Sequence, residues 1–267
     1  MRLGIDRYLS GQDSQMIFEY ELGNIHYQIQ GDGPFILLLH GFLEDHLIWE
    51  EIHPLLSDRF TLVMPDLPGH GKSAVLSETQ SMSEMGEAIQ ALLDHLGIDQ
   101  YDLMGHSMGG YVGLAMLEQK PEKVNRFFLL NSTPEADSEQ RKKNRNRGIQ
   151  LMDQNPGLFI SSLIRQLFDP KTANKYEDQI LELIQRANGY PTEGVKACMR
   201  GMRDRPDRLK VFKGFGGAKT IIHGMRDPIM PKERIKAVAR QTNCQLISLE
   251  GGHMSWLEKG DEIVKMM

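Results

Sequence analysis

Cysteine is nearly absent: Cys198 and Cys244 are the only two thiols in the chain. They supply neither a disulfide framework nor a cysteine metal motif, and each reads as an inert buried thiol, which suits a reducing cytoplasm. Long apolar runs are also missing, and no stretch approaches the ~18 residues of a membrane span. Residues 1–15 scatter Arg2, Asp6, Arg7 and Asp13 without an apolar centre, so they read as a loose extension and not as a signal peptide. Charge of one sign is scarce too. A formal net charge of −5 gives no attraction for nucleic acid. No metal-ligand cluster, dinucleotide fingerprint or internal repeat is legible, so no metal and no cofactor is expected.

What is present is the composition of an ordinary globular protein, 40% hydrophobic and 25% charged, in a chain of 267 residues that suits one large α/β domain with an insertion. Met16–Leu22 and Asn24–Gln30 alternate as two strands with Gly23 at their turn. Phe35–Leu39 is a continuous apolar run bounded by turn residues, the pattern of a strand buried on both faces of a parallel sheet. Further strands are expected at Phe60–Met64, at Tyr101–Met104, at Val124–Leu130, at Thr220–Gly224 and at Gln245–Leu249. Helical spacing falls between them: Asp45–Leu56, Ser81–Leu96 with Gly97 as its stop, a helix near Lys232–Gln241, and a last one from about Ser255. From Pro134 to Lys213 the alternation gives way to helical patterns alone (Ser138–Met152, Gly157–Phe168, Lys175–Ala187 and Thr192–Gly201). Residues 134–213 therefore read as a helical insertion in a core of residues 16–133 and 214–267, with Gly214–Gly217 as the return linker.

The chemistry concentrates at strand ends. Gly105-His106-Ser107-Met108-Gly109 fits the G-x-S-x-G elbow, in which a serine sits on a sharp turn from strand to helix. A Cβ on either glycine would meet neighbouring backbone, and a serine at the start of a helix faces free N–H groups that favour developing negative charge. His40-Gly41-Phe42 follows the third strand, and Asp66-Leu67-Pro68-Gly69-His70-Gly71-Lys72-Ser73 the fourth. Met225-Arg226-Asp227-Pro228 and Gly251-Gly252-His253 follow the last two. In a parallel sheet these positions share the carboxyl edge, where open α/β folds place their sites.

These five motifs in this order resemble the α/β-hydrolase superfamily over roughly residues 16–267. The resemblance implies an α/β-hydrolase fold with an eight-stranded, mostly parallel sheet, helices on both faces and the 134–213 insertion as a cap. It also implies a triad in the order Ser107, Asp227, His253, with backbone N–H groups of Phe42 and Met108 holding an oxyanion, and His40, Gly41, Gly105 and Gly109 as structural parts of the motifs. A serine hydroxyl needs a base, and His253 in its Gly-Gly-His turn is the best of nine histidines. Asp227 would orient it. The strand before offers only Asn131-Ser132 and no carboxylate. His40 and His70 are expected to hold loops, the side chain of His106 to point away from the site, and His26, His46, His53 and His95 to be surface or helix residues. His223 is expected to be a packing residue.

Serine at the elbow separates the chain from relatives with aspartate there, the haloalkane dehalogenases and epoxide hydrolases, and implies acyl chemistry on a small or medium carboxylic ester. Carbon–carbon hydrolases and lyases of the meta-cleavage or menaquinone-synthase type, cofactor-free haloperoxidases or perhydrolases, and hydrolase-fold receptors share the implied triad and stay open. The insertion holds 16 Lys and Arg against 11 Asp and Glu, densest in Arg141-Lys142-Lys143-Asn144-Arg145-Asn146-Arg147. That run reads first as a solvated helix face and second as a surface for an anionic substrate or an acidic carrier protein. Leu158, Phe159, Leu163, Leu167 and Phe168 read as core before pocket.

Overall fold

The computed structural model describes residues 16–267, so the extension expected at 1–15 lies outside the described residues. Eight strands form one sheet: β1 (Met16–Tyr20), β2 (Gly23–Gln30), β3 (Phe35–Leu39), β4 (Thr61–Pro65), β5 (Tyr101–His106), β6 (Val124–Leu130), β7 (Ala218–Gly224) and β8 (Gln245–Leu249). Their spatial order is β1-β2-β4-β3-β5-β6-β7-β8, antiparallel at β1–β2 and β2–β4 and parallel elsewhere. The helices are α1 (His53–Leu56), α2 (Met82–His95), α3 (Met108–Gln119), α4 (Glu139–Gln154), α5 (Pro156–Leu167), α6 (Glu177–Asn188), α7 (Thr192–Asp204), α8 (Leu209–Gly214), α9 (Lys232–Thr242), α10 (Ser255–Glu258) and α11 (Gly260–Val264).

Central strands with no polar face need cover on both sides. Ile36 to Leu39 of β3 and Leu62 to Met64 of β4 are each fully buried. The helices α2, α3, α8 and α9 contact one another in series against the sheet, while α1, α10 and α11 form a separate group with the turn at His46–Glu51. Ser81 caps α2 through its side chain, and Gly97, at φ 70°, ends it with the left-handed residue that only glycine adopts cheaply.

One expected helix is not continuous. His46–Glu51 is a 3-10 helix, and α1 is only the four residues that follow Ile52. Pro54 has no N–H to continue the ladder, so the chain restarts there. Leu55 is 44% exposed in consequence, where a single amphipathic helix would have buried it. Between β1 and β2 the turn falls on Glu21-Leu22, and Gly23 opens β2.

Topology places the site. β3 has β4 on one side and β5 on the other, so the chain leaves β3 in one direction and returns in the opposite one. The loops after β3 and β5 therefore part at a switch point, and open α/β sheets leave a crevice there. Between β6 and β7 the described chain is helical only, α4 to α8 with a 3-10 turn at Ala173–Tyr176. Part of it lies directly on the loops of the sheet: a Cβ on Gly201 would come within 1.8 Å of the Gln80 carbonyl oxygen. No helix among the described residues is long and apolar enough to cross a membrane.

Candidate active site

Ser107 stands between β5 and α3 at φ 49°, ψ −112°, a conformation that a non-glycine residue adopts only where the surroundings impose it. The surroundings are backbone. A Cβ on Gly105 would sit 2.5 Å from the Gly109 carbonyl oxygen, and one on Gly109 would sit 2.2 Å from that of Leu39. The turn is held from the next strand as well, since the Ser107 N–H donates to the Leu130 carbonyl and its own carbonyl accepts from Ser132 Oγ.

Three expected residues meet here. His253 Nε2 lies 2.9 Å from Ser107 Oγ, and His253 Nδ1 lies 2.7 Å from Asp227 Oδ2. A carboxylate only accepts, so Nδ1 carries the ring proton and Nε2 is left as an acceptor for the serine hydroxyl. Asp227 is saturated: Oδ1 accepts from the N–H groups of Ile229 and Met230, and Oδ2 accepts from His253 and from Asn131 Nδ2 at 2.8 Å. Burial pushes its carboxyl up, but electrostatic attraction to the His253 ring, its hydrogen bond, and the hydrogen bonds from Asn131 and the Met230 N–H hold it at about 2.

Asn131 was legible only as the absence of a carboxylate at the end of β6. In the fold its amide bridges Asp227 and the Gly252 carbonyl, from a backbone at φ 46°. It thereby fixes both the acid and the turn that carries His253.

The other histidines divide. His40 donates from Nδ1 to the Gly41 carbonyl and accepts at Nε2 from the Leu67 N–H, tying the loops after β3 and β4 together. His70 is buried, and burial above all pulls its pKa to about 3. His223 lies under the acid, 4.0 Å from Asp227, and burial lowers its pKa. His26 departs from expectation, buried within β2, and His46, a helix residue as expected, is buried too; both gather on Asp66, with His46 Nδ1 2.7 Å from its carboxylate. They brace the turn after β4, whose carboxylate also accepts from the Lys72 N–H.

His106 departs furthest. Its ring faces the side of Ser107 and His253, 5.1 Å from that of His253, because the elbow turns residue 106 toward the loop after β3. Nδ1 lies 2.9 Å from Glu44 Oε2 and Nε2 lies 3.0 Å from the His253 carbonyl oxygen. Both partners are acceptors, which assigns a proton to each nitrogen and a positive charge to the ring. Burial alone would lower the His106 pKa, and the charge and hydrogen bond of Glu44 turn the shift upward from 6.5. Burial likewise raises Glu44, and His106 with the Gly41 N–H brings it below 4.5. Glu44 thus joins the loop after β3 to the elbow, and Gly41 is needed for closeness: a Cβ there would lie 2.7 Å from Oε2.

The linkage has a defined sign. The raised histidine contributes stability in full below 6.5 and loses it as the pH rises through its folded value, while the lowered carboxyl contributes above 4.5. Glu44→Gln should therefore cost most between 4.5 and 6.5. Breaking a buried pair costs about 3 kcal/mol, or roughly 6–12 °C for a domain of this size. Thermal melts of both proteins at about pH 6 and about pH 9 check this, and a deficit equal at both would contradict the charged pair.

Ser107 and His253 open into a cavity of about 300 Å³, lined on its apolar side by Phe42, Phe159, Leu163, Leu167 and Ile229. Phe159, Leu163 and Leu167 thus face the site, whereas Phe168 is core and Leu158 is 67% exposed. Met108 is the first residue of α3, so its N–H has no partner within the helix. The Phe42 and Met108 N–H groups make no hydrogen bond among the described residues. The basic run divides as well: Arg141, Asn144 and Arg145 line the cavity, while Lys143, Asn146 and Arg147 face solvent.

A family model described as alpha/beta hydrolase fold matches residues 34–260. The chain belongs to that family. Within it, a thermophilic esterase from Thermogutta terrifontis, solved with malate bound, is 28% identical and superposes with a TM-score of 0.86, covering 91% of each chain. A dihydrolipoyllysine-residue acetyltransferase component of an acetoin cleaving system from Pseudomonas putida is 27% identical over 255 residues, 90% of this α/β hydrolase and 64% of the relative. A pimeloyl-[acyl-carrier protein] methyl ester esterase from Nitrosomonas europaea is 35% identical over 113 residues, 42% of this chain and 43% of that one. The α/β hydrolase described here thus spans less than two thirds of the length of these curated relatives.

Proposed function

We propose that this hydrolase cleaves small or medium carboxylic esters through an acyl-enzyme on Ser107. The observation that carries the reading is the unbroken relay from Ser107 Oγ through His253 to Asp227, with steps of 2.9 and 2.7 Å. His253 Nε2 takes the hydroxyl proton as Oγ attacks the ester carbonyl. Asp227 keeps the ring in the receptive tautomer and balances the charge that forms. The N–H groups of Phe42 and Met108 hold the oxyanion, and the N-terminus of α3 adds its dipole. The tetrahedral intermediate collapses as His253 returns the proton to the departing alkoxide. Water, deprotonated by the same histidine, then releases the acid and restores Ser107.

Two relatives named as esterases support this reading, as does the apolar lining of the cavity. The helical segment between β6 and β7 acts as the cap, since Arg141, Phe159, Leu163 and Met202 close the cavity over Ser107. Free Cys198 and Cys244 accord with action in the cytoplasm. The test is turnover of 4-nitrophenyl acetate, butyrate and octanoate by the purified chain. The apolar lining predicts turnover of the acetate and butyrate, with kcat/KM highest for whichever acyl chain fills about 300 Å³. Absence of turnover on all three would overturn the ester reading.

A further inference from the structure

One wall of the cavity is charged. Arg141, Asn144 and Arg145 stand at i, i+3 and i+4 on α4, the spacing that puts them on one face, and all three line the space that holds Ser107 and His253. Beneath them Asp137 has a fully buried side chain. Arg205 Nη1 lies 2.8 Å from it, Arg145 Nε 3.1 Å and Arg141 Nε 3.4 Å. Three guanidinium groups share one carboxylate, which leaves two positive charges uncompensated. Glu44, the only carboxylate among the lining residues, is committed to His106.

The donors also differ in what they have left. Arg205 is turned into the protein: Nη1 donates to the Met202 carbonyl and Nη2 to that of Glu135, the group stacks on Tyr111 at 3.8 Å, and its remaining nitrogen, Nε, is buried out of reach of a ligand. Arg145 meets Asp137 through Nε, and its two terminal nitrogens make no hydrogen bond among the described residues. Arg141 offers its outer edge only to Met230 Sδ, at 3.9 Å. Half-buried guanidinium forks with unused donors are costly unless an anion completes them, and their planar geometry matches a carboxylate.

We infer that Arg141 and Arg145 form a carboxylate subsite, so that the substrate of Ser107 is an ester that carries its own anionic group. The inference rests on the ester reading for the reaction, though not for the binding. The position of these groups inside the cavity selects an anion on a small substrate and not the surface of an acidic carrier protein.

The test compares mono-4-nitrophenyl adipate with 4-nitrophenyl heptanoate, which matches its length without the charge, and titrates adipate into the Ser107→Ala protein by calorimetry. The ratio of kcat/KM for the anionic over the neutral ester should exceed one at low salt. Joint replacement Arg141→Gln and Arg145→Gln should lower that ratio ~10- to 100-fold, the effect of losing a charge-assisted hydrogen bond or two. The loss should lie in KM, and adipate binding should vanish with it. Lys143→Gln, on the exposed face, should leave the ratio unchanged. If the double variant fails to fold, Arg145→Lys keeps the pair with Asp137 and loses the fork, and it should still lower the ratio. An unchanged ratio in the folded variants, or an equal fall in Lys143→Gln, overturns the subsite. If neither ester turns over, the ester reading fails, and the titration decides alone: binding that needs Arg141 and Arg145 upholds the subsite, and no binding refutes it.

Discussion

Ser107→Ala should lower kcat for 4-nitrophenyl butyrate by about 10⁴- to 10⁶-fold, the loss typical of a removed serine nucleophile. The substitution deletes one oxygen whose hydrogen bond is to His253. It leaves Cβ and the strained backbone at φ 49° in place, since that turn is imposed by the contacts of Gly105 and Gly109 and by the N–H to Leu130. The cost to stability should stay within about 1 kcal/mol. Kinetics and thermal melts on the same preparation check both halves. A rate within tenfold of wild type would mean that another group makes the acyl bond, and a large drop in Tm would assign the lost rate to unfolding.

Asp227→Asn should cost about 10⁴ in kcat, because it imposes the wrong tautomer on the histidine. The Ile229 and Met230 N–H groups both point at Oδ1, so the asparagine must place its carbonyl oxygen there. Its NH₂ then occupies the place of Oδ2, facing His253 Nδ1 and the Asn131 amide. A donor at that place forces Nδ1 to accept, the ring proton moves to Nε2, and the ring can no longer take the serine proton. The variant also sets two amide donors against each other. The folded Asp227 carboxyl, at about 2 against an ordinary 3.8, contributes stability above 3.8 that fades as the pH falls toward 2. Melting temperatures of the two proteins should therefore differ at neutral pH and converge in acid. A loss of less than tenfold in kcat would mean that Asp227 does not orient His253.

How much of this was legible follows from which residues act locally. The β3 and β4 runs could be placed from their continuous apolar character, because a strand buried on both faces has no alternation to hide. The elbow was legible because close backbone approach demands glycine at 105 and 109 whatever the rest of the chain does. Asp227 and His253 followed from chain order and strand ends, since a parallel sheet brings every such end to one edge. What escaped was set by pairing across the fold. Glu44 and His106 are 62 residues apart and ordinary in their local contexts, and only the pairing of β3 with β5 in the sheet makes them neighbours. Asn131 is a polar residue after a strand until Asp227, 96 residues on, accepts from it. The basic run read as one solvated face because its composition is uniform, whereas helical geometry sends Arg141 and Arg145 inward and Arg147 outward. The break at Pro54 was visible in the sequence and was outweighed by the apolar spacing around it.

The most direct measurement is to treat wild type and Ser107→Ala with a fluorophosphonate, which reacts with an activated serine, and to map the adduct by peptide mass spectrometry. A single adduct on Ser107, formed in step with loss of esterase activity and absent from the variant, is the result expected of a nucleophile held 2.9 Å from its base. An unlabelled Ser107 in active enzyme, or an adduct on another residue that tracks the loss of activity, would contradict the account.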